Sequence, residues 1–114
     1  MTHSFESHGD VLVLTLSGDL AGEGIERTRR AVGDRLVAGV RSAIVDCTHV
    51  GGADSAGLEF LLWLQAECGR RGGRLTLVRP DETLELIFRI VGLRERFETA
   101  PSIEEAGRSI RAAA

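Results

Sequence analysis

The chain has 114 residues, of which 43% are hydrophobic, and a formal net charge of −3. This length fits one globular domain over residues 1–114, and no apolar run approaches the roughly 20 residues that span a bilayer, so we expect no membrane span. The mildly acidic composition, without a basic stripe interleaved with aromatic residues, disfavours direct binding to nucleic acid.

The N-terminal residues predict a β-hairpin. Residues 4–8 read as a short first strand, and residues 11–16 are an apolar run rich in β-branched residues and leucine. The turn signal His8-Gly9-Asp10 lies between the two runs, as is typical of a tight hairpin connection.

A helix and a further strand follow the hairpin. Residues 25–37 have helical spacing, with one apolar face made of Ile25, Thr28, Val32 and Leu36. Gly39 is placed to end this helix. Residues 42–47 read as a buried strand, and a helix between two strands predicts a parallel pair with a right-handed crossover.

The second half of the chain continues this alternation. Asp54 or Ser55 caps a helix that runs to about residue 71, and the remaining segments read as a strand at 74–78, a helix capped by Thr83 and ended by Gly92, an edge strand at 97–99 and a last helix capped by Ser102. The order predicts an α/β fold. We expect a mixed, mostly parallel sheet of about four to five strands, packed by about four helices.

The helix after Ser55 carries one unusual residue. At 100° per residue, a wide apolar face is formed by Leu58, Leu61, Leu62, Leu64 and Cys68. Trp63 falls on the opposite side, next to Glu59, and Phe60 flanks it. Tryptophan on a polar face is a candidate anchor for a partner protein, so we predict that Trp63 is at least partly exposed.

The two cysteines indicate the compartment. Cys47 and Cys68 lie among apolar neighbours and do not form a C-x-x-C pair, which favours buried free thiols. Free thiols fit a reducing cytoplasm, and the first residues contain neither a basic segment nor an apolar segment of a secretion signal. We therefore expect a cytoplasmic protein.

The segment Asp54-Ser55-Ala56-Gly57 is the candidate functional centre. It begins a helix after a buried strand, and this is where α/β sheets usually place function. A helix N-terminus has free backbone N–H groups and a positive dipole end, which suit a phosphorylated serine. The alternative is an ordinary helix cap, because Asp and Ser are common at this position for purely structural reasons.

Other chemistries find little support in the sequence. Ser55, His49 and Asp46 could be assembled into a hydrolase triad, but the Gly-x-Ser-x-Gly elbow of such enzymes is absent. The histidines are dispersed and no cysteine cluster exists, so we expect no metal site. The Gly51-Gly52 pair lacks the lysine of a phosphate-binding loop. We therefore expect no enzyme activity and no cofactor.

Five motifs resemble one family along nearly the whole chain. They are Leu16-Ser17-Gly18-Asp19-Leu20, the strand and its end at residues 44–50, Ala53-Asp54-Ser55-Ala56-Gly57-Leu58, the Gly-Gly-x-Leu strand at residues 72–78 and the Ser-x-x-Glu-Ala helix start at residues 102–106. In this order and spacing they resemble the STAS family of anti-sigma factor antagonists.

The resemblance implies a function. Members of this family bind an anti-sigma factor that is also a serine kinase, and they are released when the kinase phosphorylates the serine of Asp-Ser-x-Gly. Carried over, the phosphoacceptor is Ser55, and Asp54 holds or orients it. The expected partner-binding residues are Asp19, Asp54, Ser55, Ala56, Gly57, Glu59, Phe60 and Trp63.

Two departures from the family pattern keep an alternative open. Ala21 stands where the family often has an aspartate, and Ala56 stands where it often has a second serine. The second change leaves Ser55 as the one hydroxyl of the motif. The first favours an alternative function, a non-phosphorylated STAS scaffold or accessory subunit in a stress-sensing complex or a lipid-transport machine.

Overall fold

The computed structural model describes residues 1–113 and has nine regular elements. In chain order they are β1 (Thr2–His8), β2 (Val11–Ser17), α1 (Gly24–Val37), β3 (Ser42–His49), α2 (Ser55–Arg70), β4 (Leu75–Val78), α3 (Glu82–Ile90), β5 (Glu98–Ala100) and α4 (Ile103–Ala113). The predicted single α/β domain with a mixed sheet and four helices is confirmed.

The five strands form one sheet in the order β1-β2-β3-β4-β5. The β1–β2 pair is antiparallel and the other three pairs are parallel, as the predicted hairpin and crossovers require. His8 pairs with Val11, so the hairpin turn consists of Gly9 and Asp10. Gly9 has a φ of +64°, a conformation that favours glycine in such turns.

Helices α1, α2 and α3 pack on one face of the sheet. The parallel strands follow one another across the sheet in one direction, from β2 to β5. Because each crossover is right-handed, the connecting helices all lie on the same face. The larger core lies there, and it buries the predicted α1 face of Ile25, Thr28, Val32 and Leu36. On the other face, Ala106 and Ile110 of α4 cover Val13, Ile44 and Val78.

Two predicted helix starts have different outcomes. The Asp81 carboxylate accepts a hydrogen bond from the Leu84 N–H at 2.8 Å, so Asp81 caps α3 and the prediction of Thr83 is wrong. Aspartate at this position also adds negative charge at the positive end of the helix. The Ser102 hydroxyl accepts from the Glu105 N–H at 3.1 Å, as predicted for α4.

The residues after α2 pack closely against the start of β3. A Cβ atom on Gly73 would lie 1.8 Å from the Arg41 carbonyl oxygen, so only glycine fits there. The Gly73 N–H donates to the Cys68 carbonyl at 2.8 Å, and the Arg74 N–H donates to the Ser42 hydroxyl at 3.0 Å. These contacts tie the C-terminal end of α2 to the sheet.

Both cysteines are buried free thiols, as predicted. Burial raises the pKa of the Cys47 thiol to about 12 and that of the Cys68 thiol to about 11, because the charged thiolate loses its hydration. Both side chains are therefore protonated at neutral pH and serve as small apolar core residues. Among residues 1–113, no helix is long and apolar enough to cross a membrane.

Candidate functional site

Two loops meet at the N-terminal end of α2, at the edge of the sheet where the parallel strands end. The loop after β2 and the loop after β3 are joined by backbone hydrogen bonds. The Leu20 N–H donates to the Gly52 carbonyl at 2.8 Å, and the Asp54 N–H donates to the Leu20 carbonyl at 3.2 Å. These bonds fix the start of α2 against the loop that contains Leu20.

Asp54 fastens this junction with its side chain. It has extended backbone, and its Oδ1 atom accepts from the Gly57 N–H at 2.9 Å, so the predicted cap of α2 is Asp54. Its Oδ2 atom accepts from the Gly22 N–H at 3.4 Å. One carboxylate thus caps the helix and holds the neighbouring loop. The Gly22 contact was not anticipated, because no sequence pattern links residues so far apart.

Gly57 lets the helix approach that loop. A Cβ atom at this position would lie 1.9 Å from the Leu20 carbonyl oxygen, a separation that no side chain can tolerate. Gly57 is buried, and its N–H donates to Asp54. The expectation that Gly57 contacts a partner is therefore wrong, because its surface is already covered by the Leu20 backbone.

Ser55, Glu59 and Trp63 form a continuous row on the outside of α2, which we call the α2 ridge. Their spacing of four residues places them above one another on one side of the helix. Ser55 and Glu59 are exposed and Trp63 is partly exposed, as predicted for the tryptophan. Ala56, beside Ser55, is half-buried. Ser55 is the first residue of the helix, so its hydroxyl lies at the positive end of the helix dipole.

Phe60 does not belong to this surface. It is 0% exposed and belongs to the larger core, so the expectation that Phe60 contacts a partner is wrong. It lies three residues after Gly57 and four before Leu64, which are both buried, so it shares their side of the helix. Its ring centroid lies 5.9 Å from that of Trp63, so the buried Phe60 ring packs against the partly exposed tryptophan ring.

Trp63 also has a contact that its sequence position does not predict. The guanidinium carbon of Arg29, on α1, lies 5.2 Å from the centroid of the Trp63 ring, within the range of a cation–π contact. The pair joins α1 to α2 on the outer surface. Arginine next to the buried Thr28, at the border of an apolar helix face, is the signal that could have indicated such a contact.

Asp19 lies on the same edge of the sheet as Ser55. It is exposed, and its Oδ1 atom lies 3.3 Å from the position of a Cβ atom built on Gly51. The carboxylate therefore lies over the glycine backbone of the loop before α2. Together with Asp54 and Glu59 it gives this edge three exposed carboxylates, so the surface around Ser55 is negative.

Asp46 is engaged elsewhere. Its Oδ1 atom accepts from the Thr48 N–H at 3.0 Å and from the Thr48 hydroxyl at 2.6 Å. These bonds hold the carboxylate against Thr48 near the end of β3, and within residues 1–113 no hydrogen bond joins Asp46 to His49. The site presents an exposed serine hydroxyl at a helix N-terminus, and its geometry suits modification of that hydroxyl.

Comparison with known proteins places this geometry in a wider group. A family model described as the STAS domain matches residues 3–106. The unphosphorylated anti-sigma factor antagonist SpoIIAA is 24% identical, with 97% of each chain covered and a TM-score of 0.86. SpoIIAA of Bacillus in its phosphorylated form is 23% identical, with a TM-score of 0.76 and coverage of 95% of this chain and 99% of that one.

A third similar structure comes from Thermotoga maritima. It is a putative anti-sigma factor antagonist, 23% identical, with 96% of this chain and 94% of that chain covered and a TM-score of 0.87. A search among curated protein sequences found no significant match. At these identities the structural likenesses show the fold, whereas the family model covers most of the sequence. The chain therefore belongs to the STAS domain family.

Proposed function

We propose that the chain is an anti-sigma factor antagonist that binds an anti-sigma factor with serine kinase activity and is released when that kinase phosphorylates Ser55. The exposed position of Ser55 as the first residue of α2 carries this proposal. The likeness to SpoIIAA supports it, because SpoIIAA is an anti-sigma factor antagonist with a phosphorylated form. This function would place the protein in the cytoplasm, where sigma factors act.

The folded domain can tolerate a phosphate on Ser55. The modification adds about −1.5 to −2 charges at neutral pH. The N-terminal end of α2 offsets part of this charge, by about 0.3–1 kcal/mol at an exposed site. Asp54 accepts the hydrogen bond of the Gly57 N–H, so the helix keeps this cap as long as the phosphate lies outside it. The fold would therefore survive the modification.

A docked partner would experience the phosphate differently. Asp19, Asp54 and Glu59 already make this edge negative, so a partner that binds it needs a complementary, positively charged surface. The phosphate adds bulk at the centre of that contact. Its bound water must also be removed before a partner can cover it, which costs free energy. Release would then follow from local repulsion and misfit, without a change in the antagonist's fold.

Phosphorylation of the isolated protein tests the proposal directly. We expect incubation with an anti-sigma serine kinase of the same genome and ATP to add one phosphate, which mass spectrometry of peptides locates on Ser55. The Ser55→Ala variant should stay unmodified. If the kinase binds the protein but transfers no phosphate, release by phosphorylation is contradicted. That result would favour the alternative scaffold function, which the replacement of the family's aspartate by Ala21 suggests.

Trp63 is expected to contribute to partner binding. Because the ring is partly exposed on the α2 ridge, Trp63→Ala should weaken the partner's affinity about tenfold or more, as for other aromatic anchors. Isothermal titration calorimetry measures this. Val37→Ala is the matched control, since Val37 is 85% exposed on α1 and lies off the α2 ridge. Equal affinity of the Trp63→Ala variant and the unaltered protein would contradict the role of the tryptophan.

A further inference from the structure

An apolar strip covers part of α3. Among residues 1–113, four large hydrophobic side chains are exposed, and three of them lie in the second half of α3 and at its C-cap: Leu86 at 46%, Ile90 at 74% and Val91 at 49%. We call these three residues the α3 strip. Single exposed hydrophobic residues are common, but a contiguous group indicates an interaction surface.

The strip is separate from the side of α3 that packs on the sheet. The buried residues of this helix are Leu84 and Phe88, which lie four residues apart and face the larger core. Leu86 and Ile90 are also four residues apart, but each is displaced by two residues, about 200° around the helix. The helix is therefore apolar on its inner side and again on its outer side, where an ordinary surface helix is polar.

Opposite charges lie at the two ends of the strip. Glu82 precedes Leu86 by four residues, and Arg89 follows it by three, so both lie along the same flank of the strip. Neither side chain takes part in an ion pair within residues 1–113. Two copies of this helix are complementary in charge when one is reversed end to end, because the acidic end of each copy then lies beside the basic end of the other.

We propose that the α3 strip is the interface between two copies of this chain, with their α3 helices antiparallel about a twofold axis near Leu86. In such an isologous contact the same patch serves both copies. The two Leu86 side chains meet at the axis, and each Ile90 packs beside the partner copy's first helical turn. Antiparallel packing brings Glu82 of each copy close to Arg89 of the other, which gives two identical charge pairs.

The contact is small, so the dimer is weak. Stable interfaces bury about 1,200–2,000 Å² of total surface, and a strip on a helix of 9 residues provides less than this. We therefore expect a concentration-dependent equilibrium in which the dimer is populated only toward millimolar concentrations. This association does not depend on the function proposed for Ser55.

Sedimentation equilibrium over micromolar to millimolar concentrations tests the contact itself. We expect the average mass of the unaltered protein to rise toward that of a dimer, and Leu86→Glu to keep the protein monomeric throughout. Val37→Glu is the matched control, because it places the same charge at an exposed valine of α1 and should leave the equilibrium unchanged. Circular dichroism confirms that each variant is folded.

A charge exchange tests the antiparallel arrangement. Glu82→Arg and Arg89→Glu should each weaken the dimer on the order of tenfold, because each replaces two attractive pairs with two repulsive ones. The variant with both changes should regain the original association, and an equimolar mixture of the two single variants should associate more strongly than either alone.

Each result of these experiments either supports or overturns the proposed dimer. A protein that stays monomeric up to millimolar concentration, or whose strip is covered only by a different protein, overturns the proposal. So does a dimer that Val37→Glu weakens as much as Leu86→Glu does. A dimer that the double exchange fails to restore overturns the antiparallel contact, and with it the proposal.

Discussion

Gly57→Ala should lower the free energy of unfolding by about 3 kcal/mol, at the upper end of what overpacking costs. The added Cβ atom would lie 1.9 Å from the Leu20 carbonyl oxygen and 2.9 Å from the Leu20 carbonyl carbon. Backbone cannot rotate away as a flexible side chain can. The first turn of α2 must therefore move off the loop, and the hydrogen bond from the Asp54 N–H to the Leu20 carbonyl is lost with it.

The same helix contains a matched control. Gly69 also lies within α2, but a Cβ atom built on it has no neighbour within 4 Å. Gly69→Ala should therefore raise stability by about 0.5–1 kcal/mol, because alanine is the better helix former. Urea unfolding followed by circular dichroism measures both variants. Similar effects of the two substitutions would mean that the close approach at Leu20 is not what requires glycine.

Ser55→Asp should weaken binding to the proposed partner, an anti-sigma factor, on the order of a hundredfold, which corresponds to about 2.8 kcal/mol. The new carboxylate joins those of Asp54, Glu59 and Asp19 at the same edge and imitates part of the phosphate's charge. Ser55→Ala removes only a hydroxyl and should bind as tightly as the unaltered protein. Isothermal titration calorimetry with the purified partner measures both affinities.

A second serine separates a local effect from a general effect of charge. Ser109 is exposed on α4, which packs on the opposite face of the sheet. Ser109→Asp adds the same charge to the whole protein and should leave the affinity unchanged. If Ser55→Asp still binds tightly, repulsion at this edge is not the means of release. If Ser109→Asp binds as weakly as Ser55→Asp, the effect is not specific to the site.

Local patterns predicted most of the fold. The hairpin follows from two β-rich runs around Gly9-Asp10, and the α1 face follows from the spacing of Ile25, Thr28, Val32 and Leu36. These features depend on residues near one another in the sequence. The position of Ser55 at the start of a helix follows from the same local signals, and so does its exposure.

Contacts between distant segments could not be predicted in this way. Phe60 borders the outer face on a helical wheel, but the structure buries it because the packed side of α2 is rotated toward Phe60, and Leu58 and Leu62 of the predicted apolar face are only partly buried. Likewise, Gly57 reads as part of a recognition motif, whereas the Leu20 carbonyl is what requires glycine there. Both predictions failed because the sequence does not show which residues stay exposed to solvent once distant loops and helices have packed.

The glycines near the two ends of α2 have a consequence for how a signal can pass through this domain. Gly57 lies against the Leu20 carbonyl and Gly73 against the Arg41 carbonyl, so backbone blocks the helix at both ends. These close approaches leave no room for either end of the helix to move toward the neighbouring backbone. If Ser55 is phosphorylated as proposed, we therefore expect the effect to stay at the surface around Ser55, with no rearrangement of the domain.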